Sequence, residues 1–354
     1  MYMRSSIVLG LLAAAIAPTS AAGAVRTHAT TRTLDGYRGL GTWVDLYDAA
    51  QRSDVAETVA TATLHGVHTL YLETSNSRAA ADVQDPAAVS AFIDAAHIQR
   101  LRIVAWYLPS LVDPATDRRR ALAALRFRST GGQGFDSVAL DIEASDVRPT
   151  GERTNRILAL AGALRRAAGR RYPLGAIIPS PSGMATRPTY WPAFPYRRLA
   201  RNLDVFLPMT YFTYHVHGTS RVHDDVDADI ETIRSATHSA AVPIHVIGGV
   251  ASKATSADVR GMVRAVRDRG VLGAGLYDLS TTTPRAWAEL AAVPVNPLQR
   301  PPLPIPVASA GVARDGVGNF AGDRSHPQEV YFESGPQTGE QRLPSGSSTC
   351  SAAS

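Results

Sequence analysis

From residue 39 onward the chain repeats one pattern: a short, almost unbroken apolar run, a polar break, then a longer stretch with apolar positions at helical spacing. The runs are Gly39–Val44, Val67–Leu72, Arg102–Tyr107, Ser137–Ile142, Leu174–Ile178, Val205–Thr210, Ile244–Gly248 and Gly273–Tyr277. Strands apolar on both faces belong to parallel sheets covered on both sides. Helices are predicted between them, for example over Asp54–His65, Pro86–Arg100, Thr116–Arg128, Glu152–Arg170, Val226–Thr237 and Ser256–Gly270. Asp85-Pro86, Asp113-Pro114 and Thr283-Pro284 each put proline in a first helical turn behind a capping residue. Gly66 and Gly270 are placed to end helices.

Strict alternation of eight strands and helices in about 260 residues predicts a single-domain α/β protein, a closed (β/α)8 TIM barrel over residues 37–291. An open doubly wound sheet would carry a Gly-rich phosphate turn after its first strand. Gly39-Leu40-Gly41 instead lies within the strand run.

The ends read differently. Arg4, the apolar run Ile7 to Ala17 and the small residues Ala22-Gly23-Ala24 have the order of a secretory signal peptide, so residues 1–24 are expected to be removed on export. Residues 25–36 are a short extension. Residues 292–354 hold closely spaced prolines (Pro294, Pro297, Pro301, Pro302, Pro304, Pro306), then Gly, Ser, Asp and Gln without an apolar period. That stretch is expected to be a disordered tail, because it offers too little apolar surface to offset ordering entropy.

Composition changes this picture little. The net charge of +5 comes almost wholly from arginine, since Lys253 is the single lysine. The basic clusters Arg118–Arg120, Arg165–Arg166 and Arg197–Arg198 fall on different predicted helices. They are expected to be solvated helix faces rather than a nucleic-acid surface. The one cysteine, Cys350, lies in the tail and excludes an internal disulfide framework. No segment after the leader is apolar for the length a membrane span needs. A secreted, extracellular monomer that meets neither nucleic acid nor membrane is expected.

In a barrel of this kind the carboxyl ends of the strands build the site. Here they carry Trp43 and Asp45, Glu73, Trp106, Asp141 and Glu143, Tyr211, and Tyr277-Asp278. Carboxylates mixed with Trp and Tyr suit a carbohydrate, the first for hydroxyls and proton transfer, the second for stacking on sugar rings. Asp45, Glu73, Trp43, Trp106, Tyr211, Tyr277 and Asp278 are therefore candidate substrate-binding residues. The sharpest feature is Ala139-Leu140-Asp141-Ile142-Glu143. Alternation points Ala139, Asp141 and Glu143 to one side, with Glu143 uppermost. Two like-charged carboxyls so close hold a proton more tightly, as a general acid requires. Glu143 and Asp141 are the candidate catalytic residues.

Other clusters are weaker. His215, His217 and His223 lie near Asp224, Asp225 and Asp227 in what reads as a loop, but at no metal-site spacing. No metal or other cofactor is expected. Ser180 lacks the elbow of a nucleophilic serine. The aromatic segment Pro188 to Pro195, with Tyr190, Trp191 and Phe194, reads either as helix packing or as one wall of a glycan groove.

The nine residues from Phe135 to Glu143 resemble the fourth-strand signature of family-18 chitinase-type glycoside hydrolases, with Asp136, Asp141 and Glu143 at matching acidic positions. Met209-Thr210-Tyr211 resembles that family's sixth-strand motif. The resemblance implies that Glu143 protonates the glycosidic oxygen, that Asp141 positions the acid or an N-acetyl group, and that Tyr211 hydrogen-bonds its carbonyl. Ala139 and Phe212 depart from the pattern, each standing where the family has aspartate. The core from Tyr37 to Leu290 is also similar to loosely defined glycoside hydrolase-like barrels of secreted bacterial proteins with a Pro-Met-x-Tyr sixth strand. The implied function is carboxyl general acid catalysis at glycosidic bonds of a polysaccharide or cell-wall glycan. The alternative is a degenerate hydrolase that only binds carbohydrate.

Overall fold

The computed structural model describes residues 33–294; the leader, most of the extension and nearly all of the tail lie outside the described residues. Eight parallel strands close into one barrel in chain order, β1 pairing with β2 on one side and β8 on the other. The strands are β1 Gly39–Val44, β2 Thr69–Asn76, β3 Arg102–Leu108, β4 Ser137–Asp141, β5 Leu174–Pro179, β6 Val205–Met209, β7 His245–Val250 and β8 Gly273–Tyr277. Ten helices surround them: α1 Ala49–Ser53, α2 Val55–Leu64, α3 Pro86–Ile98, α4 Pro114–Arg126, α5 Thr150–Ala168, α6 Pro181–Thr186, α7 Tyr196–Leu199, α8 Thr219–Thr237, α9 Ser256–Arg269 and α10 Pro284–Leu290. None is long and apolar enough to cross a membrane.

Alternation along each strand divides the core in two. Leu70, Leu72, Val138, Leu140, Ala176, Phe206 and Val246 face out and pack with the helices. Trp43, Tyr71, Trp106, Ala139, Ile177, Met209 and Tyr277 form a separate cluster that fills the lumen. The lumen is thus a packed core with aromatic walls. Tyr37 closes its lower end, its hydroxyl bonded to Ser137 Oγ. Glycine makes room for these rings: a Cβ on Gly41 would sit 2.7 Å from the Tyr71 ring and 2.8 Å from His245 Nε2. Where β8 meets β1 the strands touch backbone to backbone, and a Cβ on Gly275 would lie 2.1 Å from the Gly41 carbonyl oxygen.

Three differences from the sequence expectations follow from tertiary context. β2 runs four residues past the apolar run, through Glu73-Thr74-Ser75-Asn76. Its register against β3 shifts between Glu73 and Ser75, so a polar segment stays in the ladder. Of the His-rich stretch read as a loop, His215 and His217 do precede α8, whereas His223, Asp224, Asp225 and Asp227 lie in its first turns. The histidines go to separate carboxylates: His215 to Asp225, His217 to Asp258, and His223 to Asp224 and Asp268. Finally, Arg118, Arg166, Arg197 and Arg198 are exposed as expected, but Arg120 is buried and Arg165 half-buried. Arg120 donates to the Asn76 and Ala79 carbonyls, and Arg165 pairs with Asp204 at 2.5 Å.

Asp136 works at the lower end of the barrel. It accepts from the Ile103 N–H at 2.9 Å and pairs with Arg102 and His97, both at 3.0 Å. Its role is to tie β3 to β4, well below the strand ends.

Candidate active site

The last residue of β4, Asp141, and Glu143 just past the strand place two carboxyls at different depths. Asp141 is 1% exposed, and neither carboxyl oxygen has a hydrogen-bond partner. Burial, then the neighbouring Glu143 and Glu73, raises its pKa well above the usual carboxyl range. Glu143, one pleat higher, is pushed up to about 8 by burial. Glu73 on β2 is pushed up to about 8 as well, by burial first. Two donors partly offset that burial: Leu46 N–H reaches its Oε2 at 2.9 Å and the Asn76 side-chain amide its Oε1 at 3.0 Å. Near neutrality Glu73 and Glu143 therefore hold their protons.

A second acidic group lies beside the first. The Tyr277 hydroxyl donates to Asp45 Oδ2, while Asp45 Oδ1 accepts from the backbone of Tyr47 at 2.6 Å and Asp48 at 3.0 Å. Asp278 Oδ1 accepts from Ser280 Oγ at 2.7 Å and Thr281 N–H at 2.9 Å. Burial, with Asp45 and Asp278 nearby, raises Asp48 to about 7. One oxygen from each of Asp45, Asp48 and Asp278 falls within 4.8 Å of the others, the donor type and spacing of a hard-cation site. Hydrogen bonds from the protein already hold Asp45 and Asp278 in place.

Tyr211 joins the two groups. It takes a left-handed backbone conformation (φ 42°) as the chain leaves β6 into the 3-10 turn Phe212–Tyr214. Its hydroxyl pKa is held well above the ordinary value by burial and then by Glu143, Asp141, Tyr214 and Asp278. Asp45, Glu73, Tyr211, Tyr277 and Asp278 thus gather with Asp141 and Glu143 at one end of the barrel.

What opens to solvent is narrower than the strand ends suggest. A cleft of about 250 Å³ is lined by Asn76, Arg78, Pro109, Glu143, Asp146, Arg187 and Tyr190, among others. Of the nine candidate residues, only Glu143 lines it. Trp43 and Trp106, expected to stack on sugar, are each 2% exposed. One face of Trp43 is taken by Tyr71, at 4.1 Å between nearly parallel rings, and Trp106 meets it edge-on at 6.0 Å. The aromatic ring at the cleft is Tyr190, whose hydroxyl donates to the Glu143 backbone carbonyl. In the Pro188 to Pro195 segment Tyr190 lines the cleft, whereas Trp191 and Phe194 are buried in the helix layer.

Arg78, Arg187, Asn76 and Asp146 were not singled out from the sequence. Asn76 ends β2 and the other three are isolated polar residues in loops or at a helix end, and only the spatial meeting of these segments marks them. Asp48 carried a faint signal, three residues after Asp45 at the end of β1.

The fold and this end of the barrel define a (β/α)8 protein with a cluster of proton-bearing carboxyls beneath an open cleft. Solved structures with the same architecture include the spore cortex-lytic enzyme SleL of Bacillus cereus, at 9% identity over 72% of this chain and 74% of that one, with a TM-score of 0.53. An endo-1,4-beta-mannanase from Rhizomucor miehei matches at 10% identity over 73% and 97%, with a TM-score of 0.54. A chitinase from Chromobacterium violaceum matches at 12% identity over 72% and 98%, with a TM-score of 0.52. No family model and no curated protein matches the sequence.

Proposed function

We propose that the protein hydrolyses glycosidic bonds of a polysaccharide or cell-wall glycan outside the cytoplasm, with Glu143 as general acid and Asp141 as its partner. The observation that carries this reading is the division of labour at the end of β4. Asp141 is sealed in the lumen, while Glu143 holds a proton near neutrality and borders the open cleft. A carboxylic acid kept neutral by an apolar site can protonate a leaving oxygen at ordinary pH. The neighbours of the same fold named as chitinase, mannanase and cortex-lytic enzyme support this substrate class. The leader-like residues 1–24 support action after export.

Two features favour the second reading, a carbohydrate-binding barrel without turnover. Ala139 packs in the lumen and Phe212 in the outer core, at the two positions where the resembling family keeps aspartate. β7 ends on Gly248-Gly249-Val250 and offers no carboxylate.

Turnover on chitin, peptidoglycan and mannan or glucan fragments, for the unmodified protein and Glu143→Gln, separates the two. Hydrolysis should fall by about 10²–10⁴-fold in the variant while binding persists. Binding without any cleavage by the unmodified protein would support the second reading.

A further inference from the structure

The cleft beside Glu143 is basic. Its charged lining residues are Arg78 and Arg187 against Glu143 and Asp146. Glu143 carries no charge while it holds its proton, so the arginines outweigh the acids. A second cleft, of about 440 Å³, shares Ser145, Asp146 and Tyr190 with the first and adds Arg148 and Arg153. Across the two, four arginines line the walls against two acids, Glu143 and Asp146.

The arginines are presented by braced elements. Arg78 is exposed on the turn that follows β2. Its backbone N–H donates to Asn76 Oδ1 at 2.9 Å, and Ala79 N–H bonds to the Asn76 carbonyl at 3.1 Å. From beneath, the buried Arg120 guanidinium donates to the carbonyls of Asn76 and Ala79. Across the cleft, Arg187 closes α6, its N–H bonded to the Met184 carbonyl at 3.1 Å. Tyr190 N–H in turn bonds to the Arg187 carbonyl at 2.9 Å. Arg153 is 3% exposed, sits 4.4 Å over the Trp191 ring and donates to the Tyr190 carbonyl at 2.7 Å, which fixes that wall. A neutral glycan needs none of this. Hydroxyls are matched by carboxylates and amides, whereas planar guanidinium groups match carboxylates.

We propose that this cleft takes a glycan bearing a carboxylate on the sugar residue next to the cleaved bond, with Arg78 and Arg187 as the residues that select it. The proposal rests on the glycan-hydrolase reading of the site and deepens it. The carboxylate could belong to a uronic acid or to an acidic ether substituent of an amino sugar, and the chemistry at the arginines is the same.

The test measures affinity by calorimetry in the Glu143→Gln background, which prevents turnover. The probes are an oligouronide against its carboxyl-reduced counterpart, and a muramic-acid-containing peptidoglycan fragment against a chitin oligosaccharide of equal length. The expected result is preference for the acidic member of at least one pair. That preference should drop by roughly tenfold in Arg78→Gln and further in Arg78→Gln/Arg187→Gln, and should weaken as salt rises. The pair that shows it identifies the source of the carboxylate. Equal affinity within both pairs, or a preference untouched in the double variant, would overturn the proposal. The hydrolase reading has its own readout, cleavage by the Glu143 form. Cleavage of a neutral glycan with no acidic preference sinks this inference alone, and arginine-dependent acidic binding without cleavage sinks only the hydrolase reading.

Discussion

Asp141 ends β4 and Glu143 lies two residues beyond it, yet only Glu143 reaches the cleft, while both oxygens of Asp141 remain without a hydrogen-bond partner in the lumen. The pair therefore shares one electrostatic environment but not one job. If Glu143 must deliver a proton, the rate should hold through neutrality and fall as pH rises past about 8, where that proton is lost. A kcat/KM profile on a cleaved glycan checks this. A basic limb near pH 5 would mean that Glu143 is ionised in the resting protein.

The same carboxyls make folding stability depend on pH in an uncommon direction. Glu73 and Glu143 ionise near 4.5 when exposed and near 8 in the barrel, so within that window the folded chain binds more protons than the unfolded one. Stability then falls as pH rises, by up to about 1.4 kcal/mol per pH unit for each group. His245, held neutral by burial down to about 4, works the other way below its ordinary value of 6.5. Asp48, raised to about 7, and Asp229, raised to about 6, add to the decline below those values, so the part that belongs to Glu73 and Glu143 is read between about pH 7 and 8. Denaturant midpoints across that range should shallow in Glu143→Gln, and an unchanged slope would count against a proton-bearing Glu143.

Tyr277 and Asp45 give a test free of activity. Removing the hydroxyl in Tyr277→Phe leaves buried Asp45 Oδ2 without that donor. Urea unfolding should show a loss of about 1–3 kcal/mol. A change near zero would place another donor on that oxygen.

At the seam between β8 and β1, Gly275→Ala puts a Cβ against the Gly41 carbonyl, where backbone rather than a movable side chain must yield. The expected cost is at least about 3 kcal/mol, read as loss of soluble, cooperatively unfolding protein. At Gly151, where a Cβ would meet nothing within 4 Å, alanine should be tolerated.

The barrel was legible because its strands are apolar on both faces, and Asp141 with Glu143 because two acids at i, i+2 break such a run. The extension of β2 was not, because Glu73 to Asn76 reads as a polar break and only pairing with β3 holds it in the sheet. Trp43 and Trp106 looked like surface platforms at strand ends. The lumen is wide enough that such rings fill it instead, which residue type alone does not reveal. Arginine misled in the same way. Of the clusters expected to be solvated faces, Arg120 is buried on the Asn76 and Ala79 carbonyls and Arg165 half-buried against Asp204, arrangements that depend on where distant segments meet.

The glycine seam has a consequence for how the chain reaches this state. β1 and β8 lie at opposite ends of the barrel sequence and meet through backbone, with Gly39, Gly41, Gly273 and Gly275 in register. At the glycine pairs no side chains interlock to draw the ends together early, and the contact carries the longest loop-closure cost in the barrel. Closure is therefore expected as the last event of folding. Until β8 arrives, the sheet carries two raw edges able to pair with another chain. The cell has the whole time needed to make and gather eight strands in which to keep such molecules apart.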